Sequence, residues 1–206
     1  MEVKNGTTLD FSRVLTDGFE YGMKNIPSLL GALVLWLLTI WIPYVNVGTT
    51  IAISTLPLQL SRGTVFSPFS IFDKKYYRYI GEYFLTAGLV VIGSSLGLFF
   101  LLIPGITISI AWSLAILLLL DKGLNPTEAI SVSNKLTYGN KWTIFLVMLM
   151  LGALYLLAIT IFAFVFSRVI FLYVLFLLAL TIIFVAFSIG VQASIYGTLS
   201  KNLEQQ

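Results

Sequence analysis

Apolar residues in this chain gather in long unbroken runs rather than in alternating or narrow amphipathic patterns. From Ile26 onward the runs are about 17–25 residues long, the length a helix needs to cross the hydrocarbon layer, and short charged stretches separate them. The pattern predicts spans at Ile26–Ile42, Tyr44–Leu60, Phe84–Ile103 and Pro104–Leu120. The run Thr143–Leu199 carries a single charge, Arg168, and is too long for one crossing, so two further spans are expected to meet near Ser167-Arg168. Backbone groups in lipid must pair within their own segment, which makes each span helical. Alternating segments of about ten residues, as a β-barrel requires, are absent. The second span is the most polar, with Asn46, Thr49, Thr50, Ser54, Thr55 and Gln59. It is short enough that a re-entrant segment stays open beside a full crossing.

Between the runs the periodicity changes to that of amphipathic helices. Asn125-Pro126-Thr127-Glu128 offers an N-cap, a proline at the first helical position and a glutamate three residues after the cap. The following residues put Ala129, Val132 and Leu136 on one side. Ser67-Pro68 opens a similar segment with Phe72, Tyr76, Tyr79, Ile80 and Tyr83 at helical spacing, beside Lys74, Lys75 and Arg78. Phe11, Val14, Leu15 and Phe19 form a third stripe. Such helices are expected to lie in the membrane interface, with basic residues toward anionic lipid.

Composition and charge sharpen this into an orientation. Of the 206 residues, 58% are hydrophobic and only 10% charged, where a soluble domain carries about 25% charged residues. The net charge of +3 hints at nucleic acid, but position explains it better. With six spans, every basic residue except Arg168 falls on one face, together with all nine acidic ones. The positive-inside rule makes that face cytoplasmic and puts both termini there. The first 25 residues are polar and of mixed charge, so no cleavable leader is expected. Cysteine and histidine are both missing. Disulfides, thiolate or imidazole metal sites and Ser-His-Asp catalysis are thereby excluded. No phosphate-binding glycine motif occurs, and no cofactor is expected.

Internal echoes suggest a threefold repeat. Tyr21-Gly22-Met23-Lys24 returns as Tyr138-Gly139-Asn140-Lys141. Ile42-Pro43 leads to Arg62-Gly63 and Ser67-Pro68, as Ile103-Pro104 leads to Lys122-Gly123 and Asn125-Pro126. The expected units are 8–63, 67–123 and 125–201, within one integral membrane domain covering 1–206. The third unit departs by lacking the outer proline. Gly93 and Gly97, four apart in an apolar run, are expected to serve close helix packing.

The stretch from Ile103 to Trp142 also resembles the glycerophosphoryl diester phosphodiesterase membrane-domain superfamily and its uncharacterised bacterial integral-membrane relatives. The matching positions are Pro104, Gly105, Asp121, Glu128, Ala129, Ile130, Ser133, Gly139 and Trp142. The resemblance implies a bacterial cytoplasmic membrane. It carries no phosphodiesterase chemistry, because that belongs to a separate domain which this sequence does not contain.

The fold expected is therefore all-α: a polytopic transmembrane bundle of about six spans with cytoplasmic interfacial helices. Candidate contact residues at the cytoplasmic face are Asp121, Lys122, Glu128, Lys135, Lys141 and Trp142. Candidate intramembrane polar residues are Asn46, Thr50, Gln59 and Gln192, which serve either as interhelical glue or as the lining of a path. None of the nine acidic residues lies well inside a span, so enzyme chemistry is not expected. A scaffold or accessory subunit docking an unknown protein partner at the cytoplasmic face is the expectation. The alternative is a transporter or lipid-handling protein with a path through the bundle. Membrane lipids, anionic at the cytoplasmic face, are expected partners, and nucleic acid is not.

Overall fold

A computed structural model describes residues 7–63, 67–166 and 169–203, and these are helical almost throughout. In chain order the helices are α1 (Phe11–Lys24), α2 (Ile26–Thr39), α3 (Pro43–Ser54), α4 (Leu56–Ser61), α5 (Ile80–Phe100), α6 (Leu102–Ala111), α7 (Ala115–Lys122), α8 (Pro126–Thr137), α9 (Lys141–Val165) and α10 (Ile170–Leu199). Two 3₁₀ turns, Pro68–Phe72 and Lys74–Tyr79, lead into α5. Local chemistry sets the boundaries. Asp10 caps α1 by accepting from the Arg13 N–H at 2.7 Å, and Asn125 caps α8 by accepting from the Glu128 N–H at 2.9 Å. Prolines occupy the first turns of α2, α3, α4 and α8, where a missing N–H costs nothing. Gly123, at φ +64°, ends α7 in the left-handed region.

Four segments are long and apolar enough to cross a membrane: Lys74–Phe100, Leu102–Lys122, α9 and α10. A fifth is reached only if α1 and α2, bent by 65° at their junction, are counted as one. The run Thr143–Leu199 divides into two long helices, as its length demands; their meeting point at Ser167-Arg168 lies outside the described residues. The first two expected spans come out shorter than a crossing. Helix α2 has 14 residues, about 21 Å at 1.5 Å per residue, against a hydrocarbon core of about 30 Å. The segment Tyr44–Leu60 is divided at Thr55 into α3 and α4, with Pro57 in the first turn of the second piece. Pro104–Leu120 is likewise divided, at Trp112–Leu114.

Helix α8 explains how the second break survives. Ser133, fully buried, donates to the Ala111 carbonyl at 2.7 Å and accepts from the Leu114 N–H at 3.2 Å. Its hydroxyl thus replaces ladder bonds that the break removes, which an apolar interior requires. Ala129, Val132 and Leu136 are buried on the same face of α8, as their spacing predicts. That face sits in a core with Val14, Leu118, Val147 and Leu199. A second core joins α2, α3 and α4 to Ile71, Tyr76 and Tyr83. The segment after Pro68 anchors to the bundle through Ile71 and Tyr76, while Lys74, Lys75 and Arg78 are exposed.

The most intimate packing is between α1 and α10. A Cβ on Gly190 would stand 1.9 Å from the Gly18 carbonyl oxygen, and one on Gly22 would stand 2.4 Å from that of Ala186. The obstacle in each case is backbone, which cannot swing aside. The α1 stripe is therefore set by its glycines as much as by Val14. Phe19 stays half exposed, edge-on to Phe187 at 5.5 Å. Helices α5 and α6 close up similarly: a Cβ on Gly97 would stand 2.9 Å from the Gly105 Cα, and a Cβ on Gly93 would enter the Trp112 ring. Gly93 and Gly97 serve close packing, as their spacing predicts.

Replacing Gly190 or Gly22 by leucine should destabilise the protein by at least the ~1–3 kcal/mol typical of overpacking. In α9, Gly152→Ala should not destabilise the protein and should raise its stability by up to about 1 kcal/mol, because an added Cβ there meets nothing within 4 Å. Denaturant titration in detergent, followed by circular dichroism, reads both; equal effects at the two sites would refute the packing assignment.

Candidate functional site

The ends of α4, α7 and α10 meet at a buried carboxylate. Asp121, in the last turn of α7, has a side chain only 6% exposed. Arg62, just past α4, pairs with its Oδ1. Tyr196 of α10 donates to its Oδ2 at 2.5 Å, and the Lys122 ammonium lies 3.4 Å from the same oxygen. A carboxylate this deeply placed needs such company, since an unpaired buried charge costs several kcal/mol. The cluster pins three elements that are remote in sequence. Lys122, adjacent to Asp121 in sequence, shares this cluster, and Glu128 does not; the arrangement works as a structural clasp in which both carboxylate oxygens of Asp121 are engaged.

The other expected contact residues lie apart from this clasp. Glu128 belongs to the α8 cap, where the Asn125 amide donates to its carboxylate at 3.4 Å. Lys135 is exposed in the last turn of α8, a favourable end of the helix dipole for a cation. Lys141 donates to the Asn134 side chain at 3.0 Å. Trp142 is 77% exposed and edge-on to Phe145. The turn before them is held by Asn140, which accepts from the Leu9 N–H at 2.7 Å and donates to the Thr7 carbonyl at 3.0 Å. Near the 3₁₀ turns, the Lys75 backbone N–H and then its ammonium, 3.1 Å away, hold the Asp73 carboxyl below the usual carboxylate range.

The polar residues of the second span are engaged by neighbouring side chains. Asn46 donates to Thr39 of α2 at 3.4 Å, and Thr39 shares a 2.9 Å bond with Thr49. Thr50 accepts from the Trp36 indole at 2.9 Å. Ser54 meets the Tyr83 hydroxyl at 2.7 Å. Gln59 donates to Thr55 at 3.1 Å and to Tyr76 at 3.4 Å. Asn46 and Thr50 accordingly face α2, while Gln59 faces the 3₁₀ segment. Gln192 sits apart from all of them, exposed on α10. These four residues do not converge on one channel.

Of the clefts that open on the flanks among the described residues, two carry polar lining residues. One, about 570 Å³, lies between α2 and α10, walled by residues such as Leu30, Leu33, Leu177 and Ile182, with Thr181 its polar member. The other, about 400 Å³, lies between α6 and the start of α9. No cluster of His, Cys, Asp or Glu placed to hold a metal occurs among the described residues. No protein-family model, curated protein or solved structure matches the chain.

Sequence reasoning missed Arg62, Tyr196 and Ser133 as partners. Arg62 read as an orientation charge and Tyr196 as part of an apolar run. The one usable signal was Asp121 itself, a carboxylate directly following four leucines and so unable to reach water without help. Tyr196→Phe should cost about 1.5–3 kcal/mol, the worth of a hydrogen bond to a charged group. Asp121→Ala should cost more, and the double variant less than the sum, because both remove one shared bond. Denaturant titration in detergent measures this; strict additivity would show that the two side chains are uncoupled.

Proposed function

We propose that this chain is a non-enzymatic integral membrane protein, a scaffold or accessory subunit that presents a helical face to a protein partner on the cytoplasmic side. The observation that carries the reading is the engagement of the intramembrane polar residues. Asn46, Thr50 and Gln59 spend their hydrogen-bonding groups on Thr39, Trp36, Thr55 and Tyr76. A solute path needs such groups turned toward water. Lys135, Trp142 and Tyr138, by contrast, are exposed on and just after α8, and a partner could read them directly. The specific feature favouring the lipid-handling alternative is the apolar cleft between α2 and α10.

On this reading both termini are cytoplasmic, in a bacterial cytoplasmic membrane. Six crossings and four crossings plus an α2–α3 hairpin that turns back give the same sidedness, because either number is even. The lengths of α2 and α3 favour the hairpin. The repeat is best supported for two units. Arg62-Gly63 and Lys122-Gly123 both end a broken helix with a glycine at positive φ, and Pro68 and Pro126 both open the next helix. Tyr21–Lys24 is helical while Tyr138–Asn140 is a turn, so that echo does not support a third unit. The resemblance of Ile103–Trp142 to the phosphodiesterase membrane-domain superfamily leans toward the scaffold, since that region accompanies an enzyme domain in some members.

Cysteines at Asn46 and Thr50 should resist water-soluble thiol reagents from both sides; labelling from one side that a solute blocks would establish a transport path instead. Cysteine at Trp41, which is at the α2–α3 tip and 88% exposed, distinguishes the topologies. Protection from both aqueous sides is expected for a hairpin buried in lipid, and labelling from outside would restore six crossings. Cysteine at Thr127 should label from the cytoplasm alone.

A further inference from the structure

We propose that the cleft between α6 and the start of α9 binds one anionic phospholipid, its phosphate at Lys141 and an acyl chain along α6. The site is amphipathic along its length. Ile103, Ile106 and Ile110 wall it from α6 and Phe145 from α9. Their spacing of three and four residues aligns the isoleucines on one helix face. They extend about 10 Å along the axis at 1.5 Å per residue, an elongated apolar track suited to a hydrocarbon chain rather than a compact solute.

The polar groups gather where α9 begins. Tyr138, Lys141 and Trp142 line that part of the cleft. Lys141 uses one donor on Asn134, and an ammonium has three. No carboxylate of the described residues pairs with it, so its charge is available to an anion. Lys135, on the helix that leads into this turn, adds a second positive charge without an acidic counterpart among those pairs. Tyr138 is 76% exposed, beside the largely bare Trp142, and such rings favour headgroup depth. Gly139 leaves the turn open, since a Cβ there would meet nothing within 4 Å. A free phosphate would use Lys141 but leave the isoleucine track empty; a neutral lipid would use the track but leave the ammonium without its counter-charge. The combination selects an anionic diacyl lipid from the surrounding bilayer. The larger cleft at α2 and α10 has no comparable charged lining residue.

Native mass spectrometry of the full chain, loaded with phosphatidylglycerol or phosphatidylcholine, tests this. Phosphatidylglycerol should be retained preferentially. Lys141→Gln should cut that retention about five-fold, the equivalent of ~1 kcal/mol for one basic residue at an anionic surface, and Lys141→Arg should restore it. Lys201→Gln, outside the cleft and exposed, should leave it unchanged. Ile106→Trp, which fills the track, should remove both lipids; Ile106→Ala, which tests the track without added bulk, should weaken both. Retention unaffected by Lys141→Gln, or lowered equally by Lys201→Gln, would overturn the proposal. Displacement of the lipid by glycerol phosphate at equal concentration would also overturn it, because the site would then be an anion site without a chain. A brominated acyl chain should quench Trp142 fluorescence, read as the signal lost on Trp142→Phe, and absence of quenching would place the chain elsewhere.

Discussion

The close crossing of α1 on α10 is the contact on which the rest of the bundle depends. Lipid tails are as apolar as leucine, so helices in a membrane gain little by merely hiding apolar surface from one another. They gain from approach close enough for many backbone and side-chain atoms to touch. Gly18, Gly22 and Gly190 permit that approach, with backbone directly opposing backbone. Because α1 carries Arg13, Asp17, Glu20 and Lys24, the crossing also fixes a charged helix against the end of the longest apolar one. Helices α7, α8 and α9 then pack on the pair through Val14, Val147, Val191 and Leu199.

A second constraint is the need to satisfy backbone groups wherever a helix breaks. The chain breaks at Thr55 and again at Trp112–Leu114, and at each site a hydroxyl stands in for ladder bonds. Thr55 returns its own hydroxyl to the Ala52 carbonyl at 2.7 Å, while Ser133 reaches across from α8. The polarity of the second span is a consequence of this arrangement. Its threonines, serine and amides tie α3 and α4 to α2 and to the tyrosines that precede and open α5. The same logic governs Asp121, whose two oxygens are shared among Arg62, Lys122 and Tyr196. Polar groups engaged with one another in this way tie the helices together, while Tyr138, Trp142 and the Ile103 end of α6 stay exposed.

The all-helical character and the long apolar segments follow from the sequence itself. They rest on single-segment physics: helix length against bilayer thickness, and the cost of a charge in hydrocarbon. The α8 cap was equally legible, because Asn125, Pro126 and Glu128 act within one turn. Tertiary structure decided what depends on partners remote along the chain. It shortened α2 and divided Tyr44–Leu60 and Pro104–Leu120, the two breaks being met by a hydroxyl, Thr55's own at the first and Ser133's from α8 at the second. It drew the segment after Pro68 onto the bundle through Ile71 and Tyr76. It supplied the partners of Asn46 and Thr50 on α2 and of Gln59 at Thr55 and Tyr76, which spacing along one helix cannot name. It also joined Asp121 to Tyr196, 75 residues away, because a hydrogen bond depends on distance in space, and hydropathy along a chain carries no record of that.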